Sequence, residues 1–247
     1  MSKSSITQVK RFDQVIQDKS RLPAGWDVTL IQNDDNLCWL LTHEPTKEAI
    51  FVDPVHGDEA ALEKSAAELR ARGFRVLAVI DTHTHADHIT SAPWLAEKTG
   101  APVVMHERAP SRRVHVRISR DVELYSHASP LKLLVTPGHT PDSITPIWGP
   151  FVCGADTILY GDTGRDDLPG GDAAAHFDSL QKIKAAAAGE MIFLPGHDAE
   201  GRISSWKTQL EVNSGLTQPR EIWVPEAAAY RGPAPKLLKE SLFENFK

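Results

Sequence analysis

Cysteine is scarce: Cys38 and Cys153 are the two in 247 residues. Two thiols are too few for a disulfide framework or a thiolate zinc site. Long apolar runs are missing too, and none approaches the roughly 18 residues of a membrane-spanning helix. Positive charge is in the minority, 27 Lys and Arg against 33 Asp and Glu, and a formal charge of −6 offers nucleic acid no electrostatic footprint. The one basic run (Arg108, Arg112, Arg113, Arg117 and Arg120) reads as a solvated loop or helix face rather than a phosphate site. The N-terminus lacks an apolar core and mixes Lys3, Lys10 and Arg11 with Asp13 and Asp18, so a cytoplasmic chain without leader or transit peptide is expected.

Hydrophobic residues make up 41% and charged residues 24%, a composition that buries a core without help from a metal or disulfide. Short apolar runs alternate with helical patterns. Thr29 to Gln32 and Leu37 to Leu41 read as a hairpin, followed by a strand at Ala49 to Val52. Leu62, Ala66 and Leu69 give Asp58 to Arg72 a helical spacing that stops at Gly73. Phe74 to Ile80 is a strand, and Ile89 to Lys98 reads as the next helix. A short strand at Val103 to Met105 and one at Leu131 to Val135 come next. Ile144 to Trp148 and Phe151 to Cys153 form a second hairpin, and Ala173 to Ala188 reads as a helix. A strand at Met191 to Leu194 and a helix from Arg202 to about Val212 complete the pattern. The order lacks a repeating βα unit, which argues against a barrel or a Rossmann sheet. Residues 1–216 are expected to form one domain, and the Pro- and Ala-rich 217–247 an extension packed on it.

The chemistry concentrates in His83-Thr84-His85-Ala86-Asp87-His88, directly after a strand. His83 and His85 are two apart, so an extended backbone points both the same way. Imidazole with carboxylate suits zinc, iron or manganese, whereas calcium prefers oxygen alone. A capped helix N-terminus explains Asp87 but not three histidines in six residues. His139 in Pro-Gly-His-Thr, Asp156 after Cys-Gly-Ala and His197 in Pro-Gly-His-Asp each fall just past an apolar strand. Each alone is an ordinary surface residue. Together with the cluster they make a set large enough for two metals.

In this order the motifs, over roughly residues 28 to 213, resemble the metallo-β-lactamase superfamily. The resemblance implies an α/β fold, a four-layer αβ/βα sandwich with the metals at one edge between the sheets. It implies His83, His85 and His139 on one metal, Asp87, His88 and His197 on the second, and Asp156 bridging. Asp53, in Val-Asp-Pro, corresponds to an aspartate that supports the ligands from behind.

The flanks resemble two glutathione-linked branches, hydroxyacylglutathione hydrolase (glyoxalase II) and persulfide dioxygenase. In the latter, His83, His139 and Asp156 would hold one Fe(II). Thr163-Gly164-Arg165-Asp166-Asp167 departs from the Cys-Gly-Arg-Thr-Asp of the dioxygenases, and Asp142 stands where glycine is usual. Metal-dependent hydrolysis of a small ester or thioester is the first expectation. It would use two divalent cations, zinc first and iron or manganese as alternatives, with Asp87 handling a proton and Arg165 clamping a substrate carboxylate. Oxidation of a glutathione-type persulfide by one iron is the alternative, and a non-catalytic metal-binding protein the third reading. Partners are a small molecule, with neither nucleic acid nor membrane. Trp206, Trp223 and Tyr230 are candidates for the substrate mouth or a contact between two copies. Arg165 has an equally plain reading as a salt bridge to Asp166 or Asp167, and His106, His115, His127 and His176 lack partners at ligand spacing.

Overall fold

The computed structural model describes residues 7–11, 22–198, 200–233 and 238–247. Lys3, Asp13 and Asp18, on which the leader expectation rests, lie outside these residues, as do 234–237 of the tail.

The first sheet holds β1 (Thr7–Arg11), β2 (Trp26–Asn33), β3 (Asn36–His43), β4 (Glu48–Val52), β5 (Arg75–Ile80), β6 (Val103–His106) and β7 (Val116–Ile118), side by side in that order. Pairing is antiparallel from β1 to β4 and parallel from β4 to β7. A parallel neighbour needs a crossover, and helices α1 (Glu59–Ala71) and α2 (Ala92–Thr99) supply two of them. The second sheet holds β8 (Val122–Leu124), β9 (Leu131–Val135), β10 (Ile144–Trp148), β11 (Phe151–Ala155), β12 (Ile192–Pro195) and β13 (Ser204–Ser205), ordered β13-β12-β11-β10-β9-β8. Its one parallel pair, β11 with β12, is joined through α3 (Ala173–Ala186). Among the described residues α4 (Trp206–Val212), α5 (Ser214–Thr217), α6 (Arg220–Ala229) and α7 (Leu238–Asn245) follow.

Side-chain alternation decides the layers. Leu30, Trp39, Leu41, Ile50 and Ile80 of the first sheet meet Leu133, Ile144, Trp148, Phe151 and Leu194 of the second. The opposite face of the first sheet (Ile31, Leu40, Phe51, Val79) packs on Leu62 and Leu69 of α1 and Leu95 of α2. The outer face of the second (Ile147, Val152, Phe193) packs on Phe177, Leu180 and Ile183 of α3 with Trp206 and Trp223. Central strands are buried on both faces, which is why Phe151–Ala155 reads as one unbroken apolar run. The result is the αβ/βα sandwich.

Several sequence expectations shift. The second helix begins at Ala92 rather than Ile89, leaving residues 81–91 free of regular structure apart from a bridge between Thr90 and Val55. The helix expected from Arg202 begins at Trp206, because Ser204 and Ser205 pair with β12 and Ser205 Oγ then caps the amide of Thr208 at 3.1 Å. Within the basic run Arg117 sits on edge strand β7, its guanidinium holding the Ala109 carbonyl at 2.7 Å. Trp206 is fully buried in the outer core, which removes it from the substrate mouth. Among the described residues no helix is long and apolar enough to cross a membrane.

Candidate metal centre

Strand tips place the cluster. Asp53, one residue past β4, takes a left-handed φ of 51° that turns its carboxylate toward the end of β5. Oδ1 accepts the amide of Thr82 at 2.7 Å and Oδ2 the hydroxyl of Thr82 at 2.8 Å. That hydroxyl lies 3.0 Å from His83 Nδ1, and Asp53 Oδ1 is 3.3 Å from His85 Nε2. Asp53 thus stands behind both first histidines, whose rings sit 4.2 Å apart. Asp142 is also accounted for. Its buried carboxylate accepts the amide of Thr84 at 3.0 Å and the Thr84 hydroxyl at 2.5 Å, fixing the link between His83 and His85.

The distant candidates arrive singly. His139 follows β9, and its Nδ1 donates to the Arg165 carbonyl at 2.7 Å, which turns Nε2 inward. Asp156 follows β11, held by the Gly164 amide on its carbonyl at 2.9 Å. His197 follows β12, whose end is stitched to the β2–β3 hairpin. Leu37 N donates to Gly196 O at 2.9 Å, Asp198 N to Asp35 O at 3.0 Å, and Trp39 Nε1 to Pro195 O at 2.7 Å. Two glycines are required here. A Cβ at Gly196 would lie 2.4 Å from Asp156 Oδ1, and one at Gly164 would lie 2.0 Å from the Asp156 carbonyl.

The seven candidates meet. Asp156 Oδ2 lies 3.8 Å from His83 Nε2, 3.6 Å from His139 Nε2 and 3.1 Å from His197 Nε2. His197 Nε2 is in turn 3.6 Å from Asp87 Oδ2. Two triplets, His83–His139–Asp156 and His85–Asp87–His88, each bring their ligand atoms within 4.8 Å of one another. His83 Nε2, His85 Nδ1 and His88 Nε2 are buried and have no hydrogen-bond partner. Leaving such atoms unsatisfied costs about 1–3 kcal/mol each, and a cation at either triplet removes that cost. The donor set of imidazole and carboxylate therefore fits a transition metal or zinc.

Charge balance without a cation points the same way. Burial pushes His83 down to about 3, helped by its neighbour His85. Burial also disfavours charge on His85 and His197. Asp53 nevertheless lifts His85 to about 9, and Asp156 with Asp87 lifts His197 to about 10. Burial raises the Asp156 and Asp87 carboxyls, but His197 beside Asp156 and His88 beside Asp87 outweigh it and hold both below the ordinary range. Protons thus occupy positions that a cation would take over, so metal binding would release them.

His176 escaped sequence reasoning. It is fully buried in α3, with Nε2 donating to Thr157 O at 2.7 Å and Nδ1 2.6 Å from Asp166 Oδ1. It braces the residue after Asp156 and the loop that carries Arg165. No spacing signal marks it, because both partners come from other segments.

A cavity of about 490 Å³ opens over Asp87, His139, Asp156 and His197, walled by Trp223 and Tyr230 among others. Arg165 lines it, but its guanidinium forks onto Asp167 at 2.5 and 2.7 Å and also donates to the Pro233 carbonyl. Of the two salt-bridge partners open to it in sequence, Asp167 is the one engaged.

A family model described as the metallo-beta-lactamase superfamily matches residues 32–113. The hydroxyacylglutathione hydrolase of Anaeromyxobacter dehalogenans is 32% identical over 207 residues, covering 83% of this chain and 78% of its own length. The mitochondrial persulfide dioxygenase ETHE1 of Homo sapiens is 25% identical over 212 residues, 85% of this chain and 82% of its own. The crystal structure of ETHE1 from Myxococcus xanthus superimposes with a TM-score of 0.79 at 28% identity, covering 89% of this chain and 97% of that one. Against the beta-lactamase hydrolase-like proteins of Xylella fastidiosa and Agrobacterium fabrum, 27–28% identical, the chain spans 56–58% of their length.

Proposed function

The chain belongs to the metallo-β-lactamase superfamily, and on that premise we propose that it is a metal-dependent hydrolase of a small ester or thioester. One observation carries the reading: a single oxygen, Asp156 Oδ2, lies between His83 and His139 on one side and His197 with Asp87 on the other. Asp156 so placed would be the carboxylate that two cations share. The resemblance assigns His83, His85 and His139 to one and Asp87, His88 and His197 to the other, whereas the ligand atoms of His85 here gather with those of Asp87 and His88. Two divalent cations supply Lewis acidity and bring the pKa of water down to about 7.

The protein's own groups do the rest. Asp87 Oδ2, 3.0 Å from His88 Nδ1 and 3.6 Å from His197 Nε2, orients both imidazoles at the cavity floor. Trp223, Leu159 and Leu168 exclude water around the acyl group. Water adds across the acyl bond, giving a carboxylic acid and a thiol or alcohol. Arg165 is the one arginine or lysine among the described lining residues, and Asp167 already occupies it. Asp162 and Glu226 stand exposed at the rim. This favours an acyl donor without excess negative charge over a glutathione thioester.

A second reading has its own support. His83, His139 and Asp156 form a two-histidine, one-carboxylate face of the kind that suits mononuclear Fe(II), and ETHE1 of Myxococcus xanthus matches nearly end to end. Metal content and turnover separate the two. Two zinc ions per chain with thioester or ester hydrolysis are expected. One iron per chain with persulfide-dependent oxygen uptake and no hydrolysis overturns the first reading in favour of the second.

A further inference from the structure

Residues 81–91 carry four ligand candidates on backbone that belongs to no helix or strand ladder. Such a segment needs its carbonyls and amides held from elsewhere, or its side chains lose their aim. Asp53 holds the entry at Thr82, and Asp142 holds Thr84. The exit, with Asp87 and His88, is held from the opposite end of the chain.

Asn245, the last residue of α7, is 4% exposed, and its whole amide faces this loop. Nδ2 donates to the carbonyls of both His85 and His88 at 3.0 Å, and Oδ1 accepts the amide of Thr90 at 3.0 Å. One planar group therefore pins three backbone positions across six residues, with Ala86 and Asp87 bracketed between its two donor contacts and His88 held at the second. The chemistry is specific to this side chain. Aspartate has no N–H for the two carbonyls, serine has a single donor, and glutamine places the same amide one methylene further out. Ser241, one turn earlier, is buried beside it, while Phe243 of the helix and Phe246 just past its end are 64% and 43% exposed.

We propose that Asn245 is a positioning residue for the metal centre, a C-terminal latch that sets the separation of the His85 and His88 carbonyls and through it the aim of Asp87 and His88. The inference rests on the metal reading of the cluster. It implies that a chain lacking its final helix keeps every ligand and still binds metal poorly. Groups that orient ligands from behind are worth about 10–100-fold in metal affinity.

The test is competition for Zn²⁺ between a chelator and the full chain, as wild type, Asn245→Asp and Phe243→Ala, with melting of each metal-free protein measured alongside. Asn245→Asp is expected to bind zinc about 10–100-fold more weakly, and Phe243→Ala, on the exposed side of the same helix, to match wild type. Unchanged zinc affinity in a folded Asn245→Asp chain, with only the melting midpoint lowered, overturns the proposal. Amide hydrogen exchange on metal-free wild type covers the case in which the variant does not fold. The Thr90 amide should be protected, and rapid exchange there defeats the latch. If wild type binds no zinc, iron or manganese while Thr90 stays protected, the metal reading falls and Asn245's hold on the loop does not.

Discussion

The two halves of the sandwich contribute to the site in opposite ways. The first sheet offers His83, His85, Asp87 and His88 from one loop, and the second offers His139, Asp156 and His197 from three strand ends. Side chains from other segments, Asp53 and Asp142, fix the loop. The single ligands are fixed by backbone: the Arg165 carbonyl behind His139, the Gly164 amide on Asp156, and the hairpin stitch beside His197. A ligand on a strand tip inherits its position from the sheet. A loop must borrow rigidity, and each borrowed contact is a separate point of failure.

The largest expected effect tests whether the halves work as one site. His83→Ala should lower turnover by at least about 10³-fold while the chain still unfolds cooperatively. Wild-type turnover would break the site assignment. A smaller effect concerns the joint between halves. Glu48, buried in β4, accepts the Ser126 hydroxyl at 2.8 Å and the His127 and Ala128 amides at 3.2 and 3.0 Å, all from the β8–β9 connection. Burial raises this carboxyl, yet those donors and Arg75 outweigh it and bring the pKa down to about 2 from 4.5. A depressed carboxylate stabilises the fold above its unfolded pKa and loses that contribution as pH falls through its folded value. Glu48→Gln should therefore cost about 2–3 kcal/mol at neutral pH, and urea titrations of the two chains should converge as pH drops from 4.5 toward 2. A gap independent of pH would mean that shape rather than charge makes the joint. Smallest is Asp142→Ala, which strips one borrowed contact from the loop. About 1–2 kcal/mol of stability and less than tenfold in zinc affinity should go, measured by melting and chelator competition. No change in either would show that the loop holds itself.

The same contrast governs what could be read from sequence. Three histidines and an aspartate in six residues announce themselves, because density alone exceeds chance. His139, Asp156 and His197 were legible as positions after apolar runs and through the order of their motifs, and the first signal means little until the runs are known to end on one rim. Asp142 was visible as an oddity, but its partner Thr84 lies 58 residues away and no spacing rule joins them. His176 and Asn245 gave no signal, since each earns its place through contacts made only after folding. The strands were legible because burial on both faces leaves continuous apolar runs. Ile89 to Ser91 read as helix because Ile89 falls at helical spacing with Ala92, Pro93 and Ala96, whereas the native backbone runs on as loop, with Thr90 bridged to Val55 and Ser91 bonded to the Pro54 carbonyl.

The stitch between Pro195–Asp198 and the first hairpin also governs where the chain could be reopened. Asp34–Asp35 and Arg72–Gly73 are both exposed two-residue turns, and exposure alone would rank them equally as sites for new termini in a circular permutant. Cutting after Arg72 disturbs a helix end on the far side of the first sheet. Cutting after Asp34 frees Asp35, whose carbonyl holds the Asp198 amide, and loosens Leu37 from Gly196. The first permutant should keep His197 in register with its partners; the second delivers that imidazole on an untethered strand.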